Sequence, residues 1–445
     1  MHRPTDSSPA KGTSRRAFLR NSSMLVAGGA IAASQVQIAR GAHSFGSDTI
    51  KVGLVGCGGR GTQAVNQAMN TSGGEVKLIA MADAFGDRLQ ASLRGITSQN
   101  PDKVAVPKEQ QFVGMKAYQE LMQTDCDIIF LATPPGFRPL HFAAAIAAGK
   151  HVFAEKPVAV DAAGIRKFLE ANEEAKKKSL AVAIGLQRRH ERKYMATVKA
   201  IQDGDIGELT LARVYWNGTK PWWKVRQENQ SEMEYQMRNW YNFNWLSGDH
   251  IVEQHIHNMD VINWIKNDYP VSAQGQGGAV LRQKEFGEIY DHHFVEYTYG
   301  DGTVMMSQCR HQPDTWTSVA ENCHGTKGYA DVSGSKIYDA DGKRIHNFGE
   351  LGGDGHQQEH HDLFADIRAG RIAEEGEWGA KSTMTAILGR MATYSGTVVK
   401  WADAMKSDVV VSPVEKYTSF DDEPPVKPDK DGWYALPIPG QTKVV

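Results

Sequence analysis

Two groups of residues in this chain combine types and spacings that can do chemistry. The first is Gly56-Cys57-Gly58-Gly59-Arg60-Gly61, set between the apolar run 50–55 and the helix-forming stretch 62–69. In a strand, loop and helix of this kind Gly56 permits the tight turn, Gly58 lets the backbone approach a pyrophosphate, and Gly61 lets the helix pack closely on the strand. Gly59 and Arg60 belong to the same loop, and the N-terminus of the helix that follows faces the anion. The next apolar run, 76–82, ends in Asp83, a carboxylate placed to accept from a ribose hydroxyl. It lies 27 residues after Gly56, more than the usual roughly 20, and the turn-like 70–74 accounts for the excess. A carboxylate there favours NAD, because it repels the additional phosphate of NADP; Arg60 and Arg88 keep NADP open.

The second group lies in 248–260, GDHIVEQHIHNMD. On a continuous helix, at about 100° per residue, His250, Glu253, His257 and Asp260 share one polar stripe that points at a cleft. An imidazole titrating near 6.5 can take and return a proton close to neutral pH. Glu253-x-His255-x-His257, backed by Asp249 and His250, also has the donor types of a zinc-like site. Residues two apart on a helix point away from each other, however, and no metal is expected.

These residues need elements to hold them. The run 127–132 reads as a buried parallel strand, and Thr133-Pro134-Pro135 ends it in a loop at the carboxyl edge, where open α/β sheets bind ligands. An Ala-rich helix over 139–148, carrying His141, stops at Gly149. The short strand 151–154 then delivers Glu155-Lys156-Pro157, with the isomer of the Lys156–Pro157 bond left open. Thr133, Pro134, His141, Glu155 and Lys156 therefore join the glycine loop and Asp83 as expected cofactor-site residues. Beyond 180–186 and Gln187-Arg188-Arg189-His190, the alternation in 209–216 signals sheet, with more strands at 294–299 and 304–308. Six of the ten tryptophans fall between Trp216 and Trp264; their faces suit the C–H surfaces of sugar rings, and packing is their commoner use.

Length and composition bound the answer. At 445 residues the chain exceeds one ordinary core. Fifty Lys and Arg against 52 Asp and Glu leave no basic excess for binding nucleic acid. Four separated cysteines, Cys57, Cys126, Cys309 and Cys323, read as free thiols rather than a disulfide framework.

The chain resembles the glucose-fructose oxidoreductase, inositol dehydrogenase and rhizopine catabolism family, Gfo/Idh/MocA. The resemblance rests on Gly56-x-Gly58-x-x-Gly61, on Ala148-Gly149-Lys150-His151-Val152 leading to Glu155-Lys156-Pro157, and on Asp203-Gly204-Asp205-Ile206-Gly207-Glu208. It implies an α/β Rossmann dinucleotide-binding domain followed by an α+β domain with a large open, mainly antiparallel sheet, whose outer face forms the contact in a homodimer or homotetramer. It also implies that Lys156 borders nicotinamide and substrate as a catalytic cation. His257 takes the place of a general-base histidine, and Glu253 that of an aspartate beside it. His255 stands where the family often has glycine. Arg189, His190, Asn217, Trp222, His255 and Asp260 are the expected substrate contacts.

The expected division is an export signal at 1–43, the Rossmann domain at 44–158, the substrate and assembly domain at 159–408, and a proline-rich arm at 409–445. Ser14-Arg15-Arg16-Ala17-Phe18-Leu19, before the mild apolar run 24–33, resembles a twin-arginine signal, with the translocase as transient partner and the periplasm as destination. That run is too short for a stable membrane span. The route carries folded proteins, so a tightly bound NAD (or NADP) loaded in the cytoplasm is expected. The leading function is an exported NAD(P)-dependent oxidoreductase acting on a sugar or polyol hydroxyl. A glycosidase working by transient ring oxidation and elimination, and a non-catalytic sugar-binding protein, are the alternatives.

Overall fold

The structure is a computed structural model that describes residues 49–219, 222–281, 284 and 287–445. The expected export signal lies outside the described residues. No helix among them is long and apolar enough to cross a membrane.

Six parallel strands form the first sheet, in the order β3-β2-β1-β4-β5-β6: β1 Ile50–Val55, β2 Val76–Asp83, β3 Gln111–Val113, β4 Ile128–Leu131, β5 His151–Ala154 and β6 Val182–Ile184. Every residue of β4 is buried, as a strand covered by helices on both faces must be. The order reverses between β1 and β4, and the crevice at that switch point, outside the carboxyl ends of the strands, is where a dinucleotide lies. Because β6 completes this sheet, the unit runs past residue 158, where the sequence placed its end.

Nine strands form the second sheet, mainly antiparallel. They are β7 Leu209–Gly218, β8 Ser272–Gly278, β9 His292–Thr298, β10 Val304–His311, β11 Ser318–Gly325, β12 Gly328–Asp331, β13 Lys336–Asp339, β14 Arg344–Asn347 and β15 Val399–Lys400. Their order is β14-β13-β12-β11-β7-β10-β9-β8-β15, with the β7–β10 pair parallel. Burial alternates strictly along β9 and β10, so His293, Val295 and Tyr297 point with Met305, Ser307 and Cys309 into the core. The helices Ile256–Lys266 and Gly376–Ser395 cover that face.

The polar stripe expected over 250–260 does not exist as one surface. The chain forms two helices there, His250–Glu253 and Ile256–Lys266, broken at Gln254-His255. His255 N–H reaches back to the His250 carbonyl at 3.2 Å, one residue further than an α-helical bond, and this changes the direction of everything that follows. The second helix is buried on nearly all sides and acts as a core helix.

The arm 409–445 packs back on its own chain. Val414, Tyr417 and Tyr434 bury with Phe137, Tyr235, Phe243 and Trp245 in a third apolar cluster that extends to Ala84, Phe85 and Met115 at the carboxyl edge of the first sheet.

Candidate functional site

The glycine loop is shaped by what its positions can hold. Gly56 has φ +98°, and a Cβ there would lie 2.5 Å from the Thr133 nitrogen. A Cβ on Gly61 would lie 2.2 Å from the Gly56 carbonyl oxygen. At Gly58 and Gly59 a Cβ would meet nothing within 4 Å. The helix Gly59–Met69 starts at Gly58 with no side-chain cap, so its first N–H groups face that open space. This open cradle above a helix N-terminus fits a dinucleotide pyrophosphate.

Asp83 closes β2 with its carboxylate accepting from Cys57 N–H at 2.6 Å and Phe85 N–H at 2.8 Å. It fixes the loop and, with further lone pairs, keeps acceptor capacity toward a ribose. Burial raises its pKa, and these backbone bonds counter that. Arg60 does not reach toward Asp83, as an NADP phosphate would require. Its guanidinium pairs with Glu155, with Glu359 at 2.8 Å and with Gln67 at 2.9 Å. Glu155 is thus the partner of Arg60 and a brace of the crevice wall. His141 lies beneath the loop, its Nδ1 3.1 Å from Thr133 Oγ1 and its ring against Tyr118 and Phe137. Burial pushes its pKa down to about 3, which makes it a neutral support of Thr133.

Sequence reasoning missed Arg138. Wholly buried at the start of the helix Arg138–Ala147, it donates to the carbonyls of Glu155 at 2.6 Å, Pro157 at 2.7 Å and Thr133. It ties the two carboxyl-edge loops together across the cis Lys156–Pro157 bond. A cation in the first helical turn opposes the helix dipole, and that mismatch was the available signal.

Lys156 meets the second domain here. Its ammonium donates to the Glu253 carbonyl at 2.5 Å and to Glu253 Oε1 at 2.8 Å, leaving one of three donors. His257 lies next to it in the electrostatic sense: burial first, then the charges of Lys156 and Arg188, hold its pKa well below the ordinary value. The ring stacks on Trp216 at 5.9 Å, and its Nδ1 is buried without a hydrogen bond. Tyr241 is buried with its hydroxyl directed at Glu253.

Lys156 and Glu253 thus come together, with His257 within reach of the lysine's charge, and most of the expected substrate contacts do not join them. Arg189 and Asp260 hold each other in a two-pronged pair at 2.8–3.2 Å, with Arg189 over Trp378 and Asp260 accepting from Ser382. His190 lies 2.7 Å from Asp362 and 3.3 Å from Glu375. Against the effect of burial these partners raise its pKa to about 10. His255 turns into the second sheet, 2.8 Å from Ser307 and 3.2 Å from Asn258, and burial lowers its pKa to about 3. In each case a polar side chain that sequence assigned to a ligand has a protein partner. Asn217 is buried one residue after Trp216. Trp222, partly exposed, packs on Trp240 and faces Tyr241. The Glu253-x-His255-x-His257 triplet is no ligand set, because its two imidazoles leave the chain in different directions.

Residues 50–184 match a family described as oxidoreductases with an NAD-binding Rossmann fold, Gfo/Idh/MocA. The match runs from β1 through β6, the whole of the first sheet. The inositol 2-dehydrogenase of Klebsiella pneumoniae (strain 342) is 28% identical over 226 residues, 51% of this chain and 57% of that protein. The alignment thus spans little more than half of such curated relatives. Among solved structures, scyllo-inositol dehydrogenase from Lactobacillus casei with bound NAD(H) and scyllo-inositol superposes with a TM-score of 0.59 at 22% identity, covering 80% of this chain and 99% of that one. Aldose-aldose oxidoreductase from Caulobacter crescentus gives 0.60 at 17% identity, covering 79% and 99%. At these identities the likeness is one of fold, and it covers about four fifths of the chain.

Proposed function

We propose that the protein is an NAD(P)-dependent oxidoreductase that oxidises a CH–OH group of a polyol or sugar to a carbonyl. One observation carries the reading: Lys156, with one donor to spare, stands at the carboxyl edge beside an open glycine cradle, and its charge reaches the buried His257. NAD, when bound, accepts the hydride. The remaining donor of Lys156 binds the substrate oxygen and stabilises the negative charge that grows on it as the C–H bond breaks. His257, kept neutral by burial and by Lys156, takes the hydroxyl proton. Glu253 holds Lys156 by two acceptors and keeps its ammonium aimed. Trp216 fixes the plane of the His257 ring.

The inositol and aldose substrates named for the relatives support a hydroxyl-rich ring as substrate class. The arm over Ala84 and Phe85 supports a retained dinucleotide. The Arg15-Arg16 segment supports export of the loaded, folded protein, and the uncovered face of the second sheet supports homo-oligomers.

The test begins with nucleotide released on denaturing the purified chain, followed by hydride transfer across inositols, aldoses and aryl glycosides. Bound or bindable NAD(H) that is reduced by a polyol or aldose is expected. Failure to bind any dinucleotide, or full activity in Lys156→Ala and His257→Ala, overturns the reading. Glycoside cleavage without net redox change selects the elimination chemistry instead.

A further inference from the structure

One buried carboxylate at the crevice wall has no part in the proposed reaction. Glu359 lies on the helix Gly355–Ala369, which comes late in the chain yet packs on the first sheet. Leu363, Phe364 and Ile367 of that helix share one core with Leu54, Ala64, Ile128 and Phe130. His360, wholly buried, lies over Phe130 and Phe153. Gln357 donates to the Gln67 carbonyl at 2.9 Å, which ties the helix to the one that follows the glycine loop. Glu359 itself is 1% exposed, and a carboxylate so placed is costly unless it is paired. Burial raises its pKa, and His356 and Arg60 counter that.

Its partner Arg60, 299 positions earlier, is the second residue of the helix Gly59–Met69. Each nitrogen of this guanidinium has its own acceptor: Nε donates to Glu155, Nη1 to Gln67 at 2.9 Å and Nη2 to Glu359 at 2.8 Å. One partly exposed ion pair barely offsets the rotamer freedom that a long side chain gives up. Three acceptors on three nitrogens fix both the place and the plane of the rigid fork.

Glu155 in turn has little room to move. A Cβ on Gly185 would lie 2.9 Å from its Oε2, so its carboxylate rests against the chain just after β6. Its N–H donates to the Leu131 carbonyl at 3.0 Å, and its own carbonyl accepts from Arg138 at 2.6 Å. That carbonyl and the N–H of Lys156 belong to one rigid peptide plane. The side chain and backbone of Glu155 together thus set the plane from which the lysine departs.

We propose that Glu359 is a positioning residue for Lys156, acting through Arg60 and Glu155. It holds the guanidinium against Glu155 and away from the glycine cradle, so the loop that carries Lys156 keeps one conformation while the ammonium meets Glu253. Without Glu359, Nη2 loses its acceptor, and an anion bound at the head of Arg60's own helix competes for the guanidinium. The catalytic consequence rests on the proposed hydride transfer, whereas the effect on Lys156 does not.

The test reads Lys156 directly. Full-length parent, Glu359→Ala, Arg60→Ala and the double variant are reductively methylated for a short time, and modification of Lys156 is measured by mass spectrometry against the exposed Lys199. Lys156 is expected to react about threefold faster or more in each single variant, and no faster in the double variant than in Arg60→Ala, because linked residues are not additive. Lys199 is expected to stay unchanged. Glu359→Gln, which keeps an acceptor of the same size, is expected to restore most of the protection. In the same proteins kcat is expected to fall about tenfold or more in Glu359→Ala while NAD affinity is kept or tightened, a split that general loosening of the fold would not produce. Arg60→Ala decides the matter if Glu359→Ala does not fold. Unchanged Lys156 reactivity in either folded single variant, or effects that add in the double variant, overturn the proposal. A parent that transfers no hydride but shows the Lys156 pattern overturns the reaction and supports the positioning.

Discussion

The crevice around Lys156 and the core around Asp249 stand one helical turn apart and are built on opposite principles. In the crevice, capacity is left over: Lys156 keeps a donor, and Gly58 and Gly59 keep empty space. In the core the polar groups engage one another: Asp249 accepts from His250, Tyr290 and Tyr394 and lies 3.3 Å from His293 Nε2. Spare capacity beside open space marks a place for a ligand that comes and goes. Polar groups that satisfy one another in a buried core hold elements together. Glu253 is the hinge of the comparison, because it ends the helix that the core begins and meets the lysine that the crevice uses.

The comparison breaks most readily by exchanging the effects of substitutions in the two regions. Lys156→Ala and His257→Ala are expected to lower hydride transfer by about 10²–10⁴-fold while the thermal midpoint stays close to that of the parent. A large loss of stability with little loss of rate would erase the distinction. Asp249→Asn is expected to do the reverse, lowering stability by about 3–5 kcal/mol in denaturant titration, because removing one charge strands its buried partners. A neutral outcome there would show that the cage is not under tension.

Within the crevice, Gly58→Ala fills the cradle without a clash and without an unfavourable φ. It is expected to weaken dinucleotide binding by roughly tenfold or more, ~1.4 kcal/mol, at unchanged stability; unchanged affinity would move the pyrophosphate elsewhere. The smallest effect is in the pH profile. His257 is held below its ordinary pKa by burial and then by Lys156 and Arg188, so its neutral, proton-accepting form persists as pH falls. The acid limb of kcat/KM for oxidation is expected below pH 6.5, lower than an exposed imidazole would give. A limb above that value would assign the base to another group.

Particular residues show why some of this was legible in the chain and some was not. Gly56, Gly58, Gly61 and Asp83 are separated by fewer than thirty residues, and one strand-loop-helix unit brings them together, so spacing alone carries the argument. Lys156 follows the strand that delivers it. By contrast, the Arg189–Asp260 and His190–Asp362 pairs join residues 71 and 172 positions apart. Sequence shows unsatisfied polar groups at those positions and assigns them to a substrate, because it does not show which partner folding will bring.

The sequence by itself determined the nucleotide-binding unit, its glycine cradle and the lysine at its edge, since each depends on local backbone geometry that a few neighbouring residues impose. Only the tertiary structure decided where the helix over 250–260 breaks, that His255 and His257 part company, and that His293 meets Asp249 and His250. Those outcomes depend on the register of β9 and β10 against the helices packed on them, a long-range arrangement set by the whole core.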